Sequence, residues 1–197
     1  CLLKGAGVNL KYYTYQKYPE NDKVHFLYLG RIMKEKGMDE LFYAAKELQR
    51  KEVPFVLDLV GFFEDEYKEK IDKLVDAKIA VFHGFQEDPR PYYAMADCVV
   101  LPSYHEGMSN VLLEAAATGR PVITSNIPGC KEAVDDGKSG LLCETEDWND
   151  LYRKMSKIAQ MSRIEREAMG VCGRDKMTRE FDKDKVVKKT IQGIERV

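Results

Sequence analysis

Along the chain, short apolar runs that end at glycine or proline alternate with stretches whose apolar positions recur every three or four residues. Val24–Leu29 (VHFLYL) reads as a strand closed by Gly30, Phe55–Val60 (FVLDLV) as a second closed by Gly61, and Cys98–Leu101 as another closed by Pro102. Residues 79–82, residues 121–125 and Gly140–Cys143 bring the count to about six strands. Between them the period lengthens. Residues 38–51 carry Leu41, Ala45 and Leu48 on one helical face, and residues 65–77 carry Tyr67, Ile71, Leu74 and Val75. A short helix over 89–96 places Pro91 in its first turn, and a helix over 110–118 stops at Gly119. Two more are expected beyond the sheet, 147–161 with Leu151, Met155 and Ile158 on one stripe, and 182–197. This alternation predicts an α/β fold, a Rossmann-like doubly wound parallel sheet covered by helices on both faces.

The chain's 197 residues bound one sizeable domain with a full core. A net charge of -2 argues against a dedicated nucleic-acid binder, which carries a basic excess. The five cysteines are odd in number, and no pair has C-x-x-C spacing. They read as buried thiols of a reducing compartment, so a cytoplasmic protein is expected, with neither a disulfide framework nor a zinc site. No apolar stretch reaches transmembrane length and no signal-peptide pattern is seen. The chain opens on Cys1, so further sequence is expected upstream. Residues 1–22, with Gly5, Gly7, Pro19 and the tyrosines at 12, 13, 15 and 18, read as a linker or docking segment.

In open α/β sheets ligands bind beyond the carboxyl ends of the strands, so the residues after each strand carry the candidate chemistry. After the first come Gly30, for close backbone approach, Arg31, whose guanidinium suits a bidentate contact with phosphate, and Lys36, just before a helix N-terminus. That set suits an anion. It is not a phosphate-binding P-loop, because position 35 is Glu where that motif needs Gly. An exposed charged loop fits the spacing equally well. After the strand at Cys98–Leu101 comes PSYHEGMSNVLLEAAATG, in which the amides of Gly107, Met108, Ser109 and Asn110 open the next helix toward a negative ligand. Glu106 lies in the loop, where it can accept from sugar hydroxyls or simply complement the helix dipole. Glu114 falls in the second turn, where a carboxylate can chelate the two hydroxyls of a ribose. A lone carboxylate within VLLEAAA is costly unless it has a partner or lines a pocket, so Glu114 is the more informative of the two. A third stretch, SNIPGCKE at 125–132, reads as lining the same cleft or as an ordinary capped loop.

At these residues the chain resembles the C-terminal domain of GT-B fold glycosyltransferases of the large GT4 family (glycosyl transferases group 1). The resemblance rests on Gly30, Arg31, Lys36 and Gly37, on the E-x7-E pair Glu106 and Glu114 within PSYHEGMSNVLLEAAATGRPVITS, and on GLL at 140–142. GAGVNLKYY at 5–13 is similar to the linker that enters this domain, and the final helix to the one that crosses back to the other half. The implied organisation is linker 1–22, donor-binding domain 23–172 and crossover helix 173–197, with an N-terminal acceptor domain outside this chain.

The resemblance implies retaining transfer from a nucleotide diphosphate sugar, a UDP-sugar favoured, in polysaccharide or lipopolysaccharide synthesis. The acceptor would be a glycan or lipid-linked sugar, met at the inner face of the cell membrane. No cofactor is implied: Arg31 and Lys36 would neutralise the diphosphate in place of a metal. Glu106 is the expected catalytic residue, in contact with the donor sugar, and Glu114 would hold the ribose. Gly107, Met108, Ser109 and Asn110 would hold sugar and phosphate, and backbone at 82–84 would face the base. The family often has Phe then Gly where this chain has Met108 and Ser109, which bears on sugar contacts. A catalytic histidine and a glycine-rich loop belong to the other domain, so this chain alone is expected to bind donor and turn over poorly. His25 and His83 read as structural, and His105 as a residue beside the cleft. The rivals are another GT-B enzyme, such as a nucleotide-sugar epimerase, which lacks the full 106–114 segment, and a non-catalytic nucleotide-binding domain, which intact Arg31, Lys36, Glu106 and Glu114 argue against.

Overall fold

A computed structural model describes residues 5, 7–64 and 66–194 of the chain. Six strands, β1 (Val24–Leu29), β2 (Phe55–Val60), β3 (Ala80–Gly84), β4 (Cys98–Leu101), β5 (Val122–Ser125) and β6 (Gly140–Cys143), form one parallel sheet in the order β3-β2-β1-β4-β5-β6. β1 pairs with β2 residue for residue, Val24 opposite Phe55 through to Leu29 opposite Val60. A parallel sheet has helices on both faces, so its strands must be apolar throughout; every residue of β4 and β5 is buried.

The charged residue buried inside the sheet is Asp58 of β2, 2% exposed. Its carboxylate accepts from His25 Nδ1 of β1 at 2.7 Å and from His83 Nε2 of β3 at 2.8 Å, which ties three adjacent strands together. Both imidazoles therefore act within the scaffold, as the sequence suggested. The bond to Asp58 raises the pKa of His25 above its ordinary 6.5, against the opposing effect of burial.

The helices are α1 (Met38–Arg50), α2 (Lys68–Asp76), α3 (Arg90–Met95), α4 (Asn110–Ala117), α5 (Trp148–Gln160), α6 (Arg163–Lys176) and α7 (Lys183–Ile194). α1 buries Met38, Leu41, Phe42, Ala44, Ala45 and Leu48, the stripe expected from its period. α5 begins at Asp147, whose side chain accepts from the amides of Asn149 and Asp150.

Two expectations need correction. The helix expected over 65–77 starts later, at Lys68, and position 65 lies outside the described residues. Within the described residues the segment from 173 is not one continuous helix, and the helix expected from 182 is α7. α6 runs through Lys176, a π-helical turn spans Met177–Phe181, and α7 is separate. α6 had a legible start signal, the capping box in which Ser162 accepts from the Glu165 amide while Glu165 accepts from the Ser162 amide. Its apolar face is weak because it packs through glycine: a methyl group at Gly170 would lie 2.0 Å from the Gly119 carbonyl oxygen at the end of α4.

The leading segment joins this body. Val8 and Asp182 form a parallel bridge, with Val8 N–H donating to Phe181 O and Lys183 N–H to Val8 O. Arg120, fully buried after α4, donates to the carbonyls of Lys17, Tyr93 and Ala94 at 2.9, 2.7 and 3.1 Å. Three cysteines are buried and Cys172 is exposed; burial pushes the Cys130 thiol up to about 11 and that of Cys143 to about 12, so both stay protonated and unreactive. Cys1 lies outside the described residues.

Candidate functional site

The strand order reverses between β1 and β4, which are neighbours in the sheet though β2 and β3 intervene in sequence. Chain leaving a doubly wound sheet at such a point turns to opposite sides and opens a crevice. The loops that open it follow β1 and β4, and they hold the sequence-predicted residues. One cleft of about 280 Å³ is lined by Gly30, Arg31, Lys36, Glu106, Met108, Ser109 and Asn110.

Two glycines hold these loops together. Gly37 ends the turn at Lys34–Lys36 and begins α1 with φ 70°; a Cβ there would lie 2.1 Å from the Pro102 carbonyl oxygen. Gly129, at φ 86°, backs the other side: a Cβ would lie 2.2 Å from Gly107 O and 2.4 Å from Glu106 O. The Gly129 carbonyl accepts from the Ser109 amide at 3.1 Å. The stretch at 125–132 thus braces the Glu106 loop from behind, and the Ser109 amide is spent on that brace. Tyr104 adds two stitches, its N–H to Glu35 O at 2.9 Å and its phenol to Glu40 at 2.7 Å.

Both cations are paired within the protein. Lys36 Nζ meets Glu106 Oε1 at 2.7 Å, both side chains 15% exposed, and the same oxygen accepts from Ser103 Oγ at 2.9 Å. Arg31 Nη1 reaches both oxygens of Glu64 at 3.1 and 2.9 Å, with the Arg31 side chain half exposed. Glu64 carried no signal in the sequence, since it stands in the loop after β2 with no motif around it. α4 starts without a side-chain cap at Ser109, so its positive end faces the cleft without an internal counter-charge from that residue.

Glu114 lies apart from the other candidates. It lines a neighbouring cavity of about 160 Å³ with Val8, Tyr13 and Lys183, and Asn110 is common to both cavities. Tyr93 Oη donates to Glu114 Oε2 at 2.9 Å, and the Tyr13 side chain lines the same cavity as Glu114. Burial raises the Glu114 pKa above its ordinary value, and the two phenols pull against that rise. Gly107 and His105 are exposed in the loop. Residues 82–84 lie at the end of β3, beside α3, where the His83 and Tyr92 rings meet edge to face with centroids 5.0 Å apart.

Comparison with known proteins settles the family. The model of "Glycosyl transferases group 1" matches residues 23–161, well over half the chain. This chain belongs to the group 1 glycosyltransferase family. It is 31% identical over 166 residues to the capsular polysaccharide biosynthesis glycosyltransferase CapM of Staphylococcus aureus, covering 82% of this chain and 43% of CapM. It is 30% identical over 181 residues to glycogen synthase of Mycobacterium tuberculosis, covering 88% of this chain and 43% of that protein. Among solved structures, sucrose-phosphate synthase from Thermosynechococcus elongatus superposes with TM-score 0.80 at 27% identity, over 96% of this chain and 51% of that one. HepE of Anabaena in complex with UDP-glucose superposes with TM-score 0.81 at 18% identity, over 97% of this chain and 56% of that one, which shows a shared fold. The chain thus spans about half the length of the relatives it matches. Among the described residues, no helix is long and apolar enough to cross a membrane.

Proposed function

We propose that this chain is the donor-binding half of a retaining glycosyltransferase that takes a UDP-sugar without a metal ion. The observation that carries the reading is the meeting of Arg31, Lys36, Glu106 and the uncapped start of α4 in one cleft at the switch point. In such a transfer the bond between the anomeric carbon and the diphosphate oxygen breaks, and the nucleoside diphosphate leaves with the electron pair. The oxygen of an acceptor hydroxyl bonds the anomeric carbon on the same face of the sugar, and its proton passes to the leaving diphosphate. The charge to be stabilised builds on the leaving diphosphate, so catalysis is mostly neutralisation and positioning. Arg31 and Lys36 supply two positive charges there, and the α4 amides supply a dipole. Lys36, drawn to the diphosphate, lets go of Glu106, which is then available to the donor sugar.

The names of relatives guide the acceptor class. CapM acts in capsular polysaccharide biosynthesis, and LpsE of Rhizobium meliloti, 28% identical over 170 residues, in lipopolysaccharide core biosynthesis. The acceptor of this protein is accordingly a glycan or lipid-linked sugar, bound with the help of a second domain at the cytoplasmic face of the membrane. Titration of the chain with UDP, GDP and ADP by calorimetry, with and without a chelator, tests the donor reading. Saturable binding of one diphosphate, indifferent to chelator and abolished by the double change Arg31→Ala and Lys36→Ala, is the expected result. Equal binding by wild type and double variant would refute it.

A further inference from the structure

Glu114 is a half-buried carboxylate whose surroundings go beyond what a ribose contact alone requires. It stands in α4 between the fully buried Leu113 and Ala115, so the backbone fixes its Cα and the side chain must find its own direction. Tyr93 supplies it through its hydrogen bond, and Tyr13 walls the same cavity. Tyr93 comes from α3 and is itself fully buried, and Tyr13 comes from the leading segment. Their rings meet edge to face with centroids 6.2 Å apart. Burial and the nearby Glu114 charge push both phenols far above their ordinary pKa, so each phenol keeps its proton.

Tyr13 is firmly held in its turn. Its amide donates to Asn9 O at 2.9 Å, and its carbonyl accepts from Arg174 Nη1 of α6 at 2.7 Å. Asn9 Oδ1 closes the turn by accepting from the amides of Lys11 and Tyr12 at 3.0 and 3.1 Å. A carboxylate offers about four lone-pair sites. The Tyr93 phenol takes one and Tyr13 closes one side of the cavity, which leaves enough sites for both hydroxyls of a vicinal diol.

We propose that Tyr13 and Tyr93 are positioning residues that aim Glu114 at the two ribose hydroxyls, so that the leading segment completes the donor site. This rests on the donor-site reading above. Tyr93 links Glu114 to α3, and Tyr13 links it to the corner where the leading segment bridges α7 at Val8 and Asp182. The selectivity for ribose over deoxyribose, made by Glu114, then depends also on residues that act only through it.

The test is calorimetric titration of the wild-type chain, Tyr13→Phe and Tyr93→Phe with UDP, GDP and ADP and their 2′-deoxy counterparts between pH 5 and 8. Wild type is expected to prefer the ribonucleotide of whichever base it binds. Tyr93→Phe should lose about three- to tenfold of that preference, the worth of one aligned hydrogen bond, and Tyr13→Phe should lose part of it in the same direction. Removing a phenol also removes one of the groups that hold the Glu114 pKa down, so the acid limit of binding should move to higher pH in each variant. A residue that only packs would change neither the ribose preference nor the acid limit. If folded Tyr13→Phe keeps both at wild-type values, the proposal is overturned, whatever happens to the more deeply buried Tyr93→Phe. If wild type binds no nucleotide, the donor-site reading falls and takes this inference with it; if wild type binds and the variants match it, only this inference falls.

Discussion

Replacing Gly129 by alanine should damage both stability and donor binding, and the size of the effect follows from two separable causes. The first is conformational. Gly129 has φ 86°, where an L-residue costs roughly 1–2 kcal/mol. The second is contact. The new methyl would lie 2.2 Å from Gly107 O and 2.4 Å from Glu106 O, and both are backbone atoms that cannot swing aside. Pushing the loop away costs roughly 1–3 kcal/mol more, by analogy with overpacked cores. Gly137 isolates the second cause. It has φ 75° and nothing within 4 Å of where a methyl would sit, so Gly137→Ala bears the conformational cost alone. The gain from a stiffer unfolded chain is common to both and cancels. For a domain this size, 1 kcal/mol moves the midpoint by about 2–4 °C. Thermal unfolding should therefore place Gly129→Ala about 2–12 °C below Gly137→Ala. Nucleotide titration should find binding weakened in Gly129→Ala and unchanged in Gly137→Ala, because only the former displaces Glu106 and its partner Lys36. Equal midpoints and equal affinities in the two variants would refute the bracing argument.

Arg120→Met strands one buried and two part-buried carbonyls and should cost about 2–4 kcal/mol in denaturant unfolding, with Arg120→Lys recovering little because an ammonium lacks the guanidinium fork. The raised His25 pKa stabilises the fold fully below its ordinary 6.5, and that contribution fades as pH climbs through the raised folded value. The Tm gap between wild type and His25→Gln should accordingly be wider at pH 6 than at pH 9, and a gap independent of pH would count against the Asp58 link. Ser162→Ala removes the α6 cap and should lower unfolding free energy by about 1 kcal/mol.

The strands and the first five helices were legible because each carries its period openly: the apolar runs of a doubly covered sheet, and the 3.6-residue stripe of α1. α6 was not, because close contact through Gly170 replaces the apolar stripe that periodicity looks for, and only its capping box announced it. At the site, residue type and position after β1 and β4 pointed to Arg31, Lys36, Glu106 and Glu114. Their partners stayed hidden. Tyr93 reads as a core aromatic in sequence, and it is one; its hydroxyl matters only because α3 brings it to α4. Tyr13 stands 101 positions before Glu114, and Glu64 stands 33 after Arg31, distances over which no local pattern reports. The cost of a carboxylate inside VLLEAAA was the one clue that Glu114 needed company, and it gave no hint of whose.

The paired state of both cations makes a prediction about affinity that runs against simple charge counting. If Arg31 and Lys36 bind a diphosphate, then Glu64 and Glu106 compete with it, and neutralising either glutamate should tighten binding of UDP, which carries no donor sugar for Glu106 to meet. The two pairs differ in how strongly they compete. Arg31–Glu64 is largely solvated, at 50% and 34% exposure, and such pairs are worth about 0.2–1 kcal/mol, so Glu64→Gln should improve UDP affinity by no more than about fivefold. Lys36–Glu106 is 15% exposed on each side and is supported by Ser103, so solvent screens its attraction less and Glu106→Gln should give the larger gain. The same Glu106→Gln change should erase any advantage of a UDP-sugar over UDP, because the group that meets the sugar is altered, whereas Glu64→Gln should leave that advantage intact. Raising salt should shrink the Glu64→Gln effect more than the Glu106→Gln effect. Weaker UDP binding in both variants would mean that the glutamates support the diphosphate site, and that the pairs in the free protein hold the cations in place for the ligand.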